Sequence, residues 1–275
     1  MSSIARVIET DQPHDPTLKQ RLLWNVTDAL TMMGRNLRHI PRTPELLVDV
    51  TIQPIIFVLL FRYVFGGAIA VEGTSYVNYL MAGIFVQTIV FAAMTSGIGL
   101  AFDLSKGIID RFRSLPMARA AVVTGRTLTD LLRGVIASLV MLGVGLAVGF
   151  GPEGDVSHWL AGFGLLLLFG FAFSWVGVTI GMLARTPEAV QATMFVAVFP
   201  LTFASSAFVP TATMPRWLRV FAENQPMTQM VNALRALVLG QSPGSAAWQA
   251  LAWSLGVITI FFPLAVSLYQ RRTTR

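Results

Sequence analysis

The chain has 275 residues, of which 54% are hydrophobic and 12% are charged, and its 20 basic residues outnumber 14 acidic ones. This composition is too apolar for an ordinary soluble domain, and because the apolar residues come in long runs it predicts an all-α polytopic membrane protein. The basic residues flank those runs, so the positive charge indicates membrane topology rather than nucleic acid binding, and the absence of cysteine excludes disulfides and thiolate metal sites.

The amino-terminal part predicts a tail followed by an amphipathic helix. Residues 1–17 are polar, and in residues 18–45 apolar side chains recur every three to four positions among basic ones. Such a pattern, with too many charges for a span, is typical of a helix that lies in the membrane interface. Residues 1–17 are therefore predicted to form a polar cytoplasmic tail, and residues 18–45 an interfacial elbow helix that leads into the membrane.

Six segments contain the roughly 20 apolar residues that a helix needs to cross a bilayer. Within a membrane domain of residues 46–270, the predicted spans are residues 46–65, 77–102, 121–150, 159–183, 189–208 and 247–269. Six spans place both termini on one side. If that side is the cytoplasm, 15 basic residues lie inside, including those of the basic tail 271–275, against 3 outside. This positive-inside bias predicts cytoplasmic termini.

A charged segment, residues 103–116, separates the second and third predicted spans. At helical spacing one side of it is apolar and the other charged: Leu104, Ile108, Phe112 and Leu115 against Lys106, Asp110 and Arg113. Asp103 is predicted to be the N-cap of this short helix, and Pro116 to end it. The helix can pack on the bundle and present its charged side to a soluble partner. A solvated loop that only fixes topology is the alternative.

The segment between the fifth and sixth predicted spans, residues 209–240, is too polar to cross a bilayer and too apolar for a free loop. Pro210, Pro215 and Pro226 divide it into two short helices, and Met230 and Leu234 mark an apolar face of the second. We predict two re-entrant helices in the outer leaflet, which require protein or water to satisfy their broken backbone. A plain amphipathic hairpin on the outer surface is the alternative.

Four ionisable residues near or within the spans are predicted to form an intramembrane charge network that anchors the helices: Asp49, Arg126, Asp130 and Arg133. Arg126 and Arg133 stand four residues before and three after Asp130, on the same helix face. Asp49 and Asp130 are also the carboxylates that an ion-coupled carrier would use. Arg62 is close enough to the outer surface to extend its cation to water.

Catalytic and phosphate-binding motifs are missing from the chain. A phosphate-binding loop requires Lys directly after Gly, whereas Lys19 follows Leu and Lys106 follows Ser. The three histidines, His14, His39 and His158, lie outside the predicted spans and form no metal-binding motif. No enzymatic activity, cofactor or metal is therefore expected in this chain.

Four stretches, in order, have a familiar character. They are VDVTIQPIIFVLLFRYVFGGA (Val48–Ala68), KGIIDRFRSLPMAR (Lys106–Arg119), ARTPEAVQ (Ala184–Gln191), and FVPTATMPRWLRVFAENQP followed by VNALRALVLG (Phe208–Gly240). With them the chain resembles the ABC-2 type transporter permeases, and among these the daunorubicin/doxorubicin-resistance branch of exporter membrane subunits.

The resemblance implies a type V ABC exporter fold, with an elbow helix, six spans, a cytoplasmic coupling helix at residues 103–116 and two outer re-entrant helices. It also implies a separate ABC ATPase subunit that binds ATP and Mg²⁺, and a second permease that is either an identical copy or a paralogue. The residues that it assigns to ATPase coupling are Lys106, Gly107, Asp110, Arg111, Arg113 and Pro116. Those assigned to the outer gate and re-entrant segment are Pro210, Pro215, Asn224, Gln225 and Pro226.

Three functional hypotheses follow. The first is a permease subunit of an ATP-driven exporter in the bacterial cytoplasmic membrane, which contacts membrane lipid and moves an amphipathic drug or lipid-like molecule outward. The second is a carrier driven by an ion gradient through Asp49 and Asp130. The third is a membrane protein that assembles a partner without transporting anything.

Overall fold

A computed structural model of the chain describes residues 55–69, 73–106, 119–184 and 186–273, together with Ile52 and Val71. All regular elements in this part of the chain are helical, which confirms the all-α class; the predicted elbow helix lies outside it. The helices are α1 (Ile55–Phe65), α2 (Tyr76–Ser105), α3 (Arg119–Ala147), α4 (Val156–Leu183), α5 (Pro187–Phe203), α6 (Arg216–Asn224), α7 (Pro226–Val238) and α8 (Gly244–Thr273), with a 3₁₀ turn at Thr211–Thr213.

Four of these helices are long and apolar enough to cross a membrane: α2, α4, the Thr127–Ala147 part of α3 and the Gly244–Tyr269 part of α8. The chain is therefore a multi-pass membrane protein. Helix α5 has 17 residues, so at about 1.5 Å per residue it reaches about 26 Å, short of the roughly 30 Å of a hydrocarbon core. The described part of α1 is shorter still. The six-span count stays a prediction.

Two helices end earlier than the predicted spans 121–150 and 189–208. Helix α3 stops at Ala147, because Gly149 adopts a positive φ of 95° that turns the chain back. Helix α5 stops at Phe203, after Pro200, whose ring removes one backbone donor from the last turn. The hydroxyl of Ser205 then donates to the Thr202 carbonyl and occupies an acceptor that the helix leaves open.

Two further boundaries differ because the helices continue through charged residues. Asp103 is not an N-cap: it lies in the last turn of α2, which runs without Gly or Pro to Ser105. The predicted coupling helix therefore does not begin at residue 103. Helix α8 runs to Thr273, so the first residues of the predicted basic tail are helical.

Helix α2 is the centre of the bundle and packs against α3, α4, α5 and α7. In its most apolar stretch 78% of the residues are buried, against 11% for α8. Helix α2 is apolar on all sides because protein surrounds it, whereas α8 is peripheral and faces lipid with most of its apolar side chains.

Helix α5 packs through one stripe only. The residues buried along it are Pro187, Val190, Met194, Val198 and Thr202. Large apolar side chains on its other sides, such as Phe195 and Val196, are exposed. Most of the circumference of α5 therefore makes no contact with the described helices.

Helices α2 and α4 meet backbone to backbone at three glycines. A Cβ on Gly97 would collide with the carbonyl oxygen of Gly177, and a Cβ on Gly181 would lie 2.5 Å from that of Gly97. Small residues allow membrane helices to approach this closely, so van der Waals contact between the backbones replaces side-chain packing.

The bundle has two ends, named here by residues of α2. At the Tyr76 end, α2, α4 and α8 begin and the loops between helices are joined. The Asn78 side chain accepts a hydrogen bond from the Gly151 amide at 2.9 Å, and the Gly154 amide donates to the Val238 carbonyl at 2.9 Å. At the Lys106 end α2 stops and α3 begins.

Asp155 caps the start of α4 at the Tyr76 end. Its carboxylate accepts the backbone N–H of His158 at 2.9 Å, lies 2.6 Å from the Nδ1 atom of the same residue, and accepts the Ser157 hydroxyl. The bond from the His158 backbone contributes most, and together these bonds lower the pKa of Asp155 to about 2. The cap is therefore ionised throughout the neutral range.

Replacing Gly97 by alanine is expected to destabilise the α2–α4 contact. Gly97→Ala forces two backbones apart, and overpacking of this kind costs about 1–3 kcal/mol. The midpoint of thermal unfolding in mild detergent should fall. Gly143→Ala on α3 is the matched control, since a Cβ there meets nothing within 4 Å. Equal midpoints for the two variants would contradict the close contact.

Candidate functional site

Two groups of polar side chains are buried between the helices. The first joins the end of α5 to α7 and α2, and the second lies between α2 and α3. Polar groups inside a membrane bundle are costly and mark functional or structural sites. They lie among the residues that the sequence predicts for an outer gate and for an intramembrane charge network.

The first group surrounds a break in the backbone. After α5 the chain continues without a regular helix from Ala204 to Phe208, and the residues from Ser205 onward in this stretch are buried. Non-helical backbone in such a position needs partners for its N–H and C=O groups from the protein or from water. Three side chains from other elements donate to its carbonyl groups.

Gln225 is the first of these side chains and is 4% exposed. Its Nε2 atom donates to the Leu201 carbonyl at 2.9 Å, and its Oε1 atom accepts the backbone N–H of Met227 at 3.0 Å. One side chain therefore satisfies both the end of α5 and the beginning of α7. Gln225 is one of the predicted gate residues.

Arg235 of α7 is the second. Its guanidinium lies 3.6 Å from the centroid of the Tyr79 ring. It donates to the Tyr79 carbonyl at 3.1 Å, to the Ser206 carbonyl at 2.7 Å and to the Asn232 side chain at 3.1 Å. Within the described part of the chain no carboxylate contacts Arg235. A planar guanidinium can stack and donate in several directions at once, so it joins α7, α2 and the break.

Tyr76 is the third, and its hydroxyl donates to the Phe208 carbonyl at 3.2 Å. Ser206 adds two bonds toward α7, since its amide donates to the Thr228 hydroxyl at 3.2 Å and its own hydroxyl to Asn232 at 2.8 Å. We call this set the break cluster: Tyr76, Tyr79, Gln225, Thr228, Asn232 and Arg235 around residues 201–208.

The other predicted gate residues lie at helix boundaries. Pro210 precedes the 3₁₀ turn, Pro215 precedes α6, and Pro226 is the first residue of α7, a position that tolerates the missing N–H. Asn224 is exposed at the end of α6 and donates to the Val220 carbonyl at 2.8 Å. The sequence-predicted division into two short helices is present, while their depth in the membrane stays a prediction.

Helix α6 is connected to the 3₁₀ turn by an exposed ion pair. The Glu223 carboxylate accepts from Nε of Arg219 at 2.8 Å and from the Thr211 hydroxyl at 3.2 Å. The bond from Arg219 is the main reason that the pKa of Glu223 lies below its usual value.

The second group is centred on Asp130, which is 6% exposed. Its carboxylate lies 3.3 Å from Nη1 of Arg133 and accepts the hydroxyl groups of Ser96 and Thr95 of α2. The predicted contact between Asp130 and Arg133 is therefore present. The other two members of the predicted charge network, Asp49 and the Arg126 side chain, lie outside the described residues.

The predicted coupling residues belong to the Lys106 end. Lys106 follows the last residue of α2, is exposed, and has its Nζ atom 5.7 Å from the centroid of the Phe102 ring. The remaining residues of this set, Gly107, Asp110, Arg111, Arg113 and Pro116, lie outside the described residues. Their role in docking an ATPase stays a prediction.

Sequence reasoning missed Arg235, which entered only the count of basic residues. Its signal is an arginine in the apolar stretch 231–239, which contains no acidic residue within reach along the helix. Such an arginine must find acceptors on other elements when it is buried. The acceptors are mainly backbone carbonyls, which no residue type in the sequence announces.

Comparison with known proteins identifies the family. The family model described as ABC-2 type transporter matches residues 27–239. The chain is 34% identical over 247 residues to the daunorubicin resistance ABC transporter permease protein DrrB1 of Streptomyces coeruleorubidus, covering 90% of this chain and 87% of that protein.

Two other relatives are more distant. A probable doxorubicin resistance ABC transporter permease protein DrrC of Mycobacterium tuberculosis is 26% identical over 257 residues, which cover 90% of each chain. A putative transport permease, ycf38, of Pyropia yezoensis is 26% identical over 221 residues, covering 77% of this chain and 74% of that protein.

Changing Arg235 to lysine is expected to weaken the break cluster. A lysine has a single ammonium and no planar fork, so Arg235→Lys leaves carbonyls of the break without donors, at about 1–3 kcal/mol each. The unfolding midpoint in detergent should fall, and export should fall with it. Arg216→Lys is the matched control, because Arg216 is exposed on α6. A midpoint equal to that of the unmodified chain would show that the stacked arginine is dispensable.

Proposed function

The chain belongs to the ABC-2 type transporter family, and from this premise we propose that it is the membrane-spanning permease subunit of an ATP-driven exporter. The observation that carries the proposal is the family match, which covers α1 to α7. The permease names of the relatives support the same role. As a permease subunit the chain would contribute the translocation path and no catalytic site.

The proposed substrate is an amphipathic small molecule, either a drug or a lipid-like compound, moved out of the cell. The support is the resistance function in the names of the relatives and the apolar character of the helices that would border a path. The working transporter would contain a second permease, identical or paralogous. The exposed sides of α5 leave room for such a neighbour.

ATP and Mg²⁺ would be bound by a separate ABC ATPase subunit. No lysine of the chain follows a glycine, as a phosphate-binding loop requires. The ATPase would dock at the Lys106 end through Lys106, Asp110 and Arg111, with Gly107 allowing close approach and Arg113 and Pro116 completing the segment. ATP binding would then move this segment and the helices attached to it.

The Lys106 end would face the cytoplasm of a bacterial cell, with both termini on that side. Support comes from the excess of basic residues in the segments that this orientation places inside. The Tyr76 end would then face outward, and the break cluster would belong to the outer gate. Opening the gate would require Gln225 and Arg235 to exchange partners at the end of α5.

An ion-driven carrier is the weaker candidate. Such a carrier needs a carboxylate that exchanges an ion during transport. The charge of Asp130 is balanced by Arg133 at 3.3 Å, and two hydroxyl groups of α2 donate to the carboxylate. Charged and fully hydrogen-bonded, this group is suited to holding α2 against α3.

Replacing two charges of the coupling segment is expected to release the ATPase. The chain would be purified from its native membranes in mild detergent, and a protein with a phosphate-binding loop should accompany it. Asp110→Ala combined with Arg111→Ala removes the proposed salt bridges, so the ATPase should be lost while the chain still inserts. Arg271→Ala, an exposed arginine of α8, is the control. Full retention of the ATPase by the double variant would refute the docking role.

Export from inverted membrane vesicles should depend on ATP and not on an ion gradient. A fluorescent anthracycline serves as the probe, and its uptake should stop without ATP and continue when an ionophore collapses the proton and sodium gradients. The opposite pattern, with uptake lost to the ionophore and independent of ATP, would favour the carrier. Asp130→Asn should lower the unfolding midpoint without changing this energy source.

A further inference from the structure

Helix α6 is largely unpacked. Of its nine residues only Ala222 is buried, and its main neighbours among the described elements are α7 and the 3₁₀ turn at Thr211–Thr213. A helix this short is not stable alone in water, so its stability depends on the surface against which it lies.

The exposed side of α6 has a large apolar sector. Trp217 is 75% exposed, Val220 57% and Phe221 47%. At about 100° per residue these three side chains fall within an arc of about 100° on the helix. An exposed aromatic surface of this kind marks an interaction site.

A charged sector lies beside the apolar one. Arg219, Glu223 and Arg216 fall within an arc of about 60°. Arg219 is bonded to Glu223, whereas Arg216 is exposed and has no ion-pair partner in the described part of the chain. Helix α6 therefore presents one available cation next to large apolar side chains.

The position of α6 in the fold indicates what covers this side. Helix α6 begins eight residues after Phe208, whose carbonyl accepts from Tyr76 at the Tyr76 end. Trp248, near the start of α8 at the same end, is 73% exposed. Tryptophan is enriched where membrane spans enter the headgroup layer, so both exposed tryptophans fit that depth.

We infer that α6 lies in the headgroup layer of the bilayer at the Tyr76 end, with its apolar sector among the acyl chains and Arg216 on lipid phosphates. A phospholipid surface matches both sectors at once, since phosphate complements the guanidinium and acyl chains cover Trp217 and Phe221. The inference rests on the membrane location of the chain and goes beyond its role as a permease. It makes α6 a lipid-contacting element next to the break cluster.

Spin labelling tests the inference, because the chain contains no cysteine and single-cysteine variants of the full chain can be labelled. Trp217→Cys and Phe221→Cys would be reconstituted in vesicles of phosphatidylethanolamine and phosphatidylglycerol, and nitroxide collisions with oxygen and with a water-soluble nickel complex would be measured. The label at both positions should collide with oxygen several-fold more often than with nickel. Trp248→Cys is the lipid-facing control, and Met230→Cys, at a fully buried position, is the control for exclusion of both reagents.

Two outcomes would overturn the inference. Frequent collision with nickel at both positions would place α6 in water. Exclusion of both reagents, as at Met230→Cys, would mean that a second copy of the chain covers the apolar sector.

A charge reversal tests the phosphate contact by itself. In Trp217→Cys, the additional change Arg216→Glu places an anion against the lipid phosphates and should raise the nickel collision rate of the label severalfold. Arg271→Glu in the same background should leave the rate unchanged. An unchanged rate in the Arg216→Glu variant would remove the phosphate contact from the inference.

Discussion

The structure depends on satisfying the buried backbone that follows α5. Each unpaired N–H or C=O group in a membrane interior costs several kcal/mol, and the chain leaves its helix there for several residues. Gln225, Arg235 and Tyr76 donate to the carbonyls of this stretch from α7 and α2. Neither α5 nor α7 can keep its position without the other, so the outer helices are part of the bundle and not an appended loop.

Helix α2 connects the features to which function is assigned. At one end Tyr79 stacks on Arg235, further along Ser96 and Thr95 donate to Asp130, and at the other end Lys106 leads into the predicted coupling segment. A displacement of α2 along its axis changes all three places. The proposed coupling of ATP binding to gate opening therefore has a continuous physical route through one helix.

Sequence reasoning found the long helices because runs of apolar residues are a local property of the chain. It placed their ends less well. Helix α3 ends at a turn that depends on the conformation of Gly149, and α2 continues through Asp103 because nothing in its sequence stops it. The Asp130–Arg133 contact was predictable from its spacing on one helix. The partners of Arg235 were not, because backbone carbonyls on distant elements leave no trace in a sequence pattern.

The unequal packing of the helices divides the bundle mechanically. Helices α2 and α4 touch through the backbones of Gly97, Gly177 and Gly181, so they cannot slide past one another without a clash and behave as one rigid pair. Helix α5 shares only a narrow stripe with this pair. Moving α5 sacrifices less buried surface than moving α2 away from α4, which makes α5 the compliant element of the bundle.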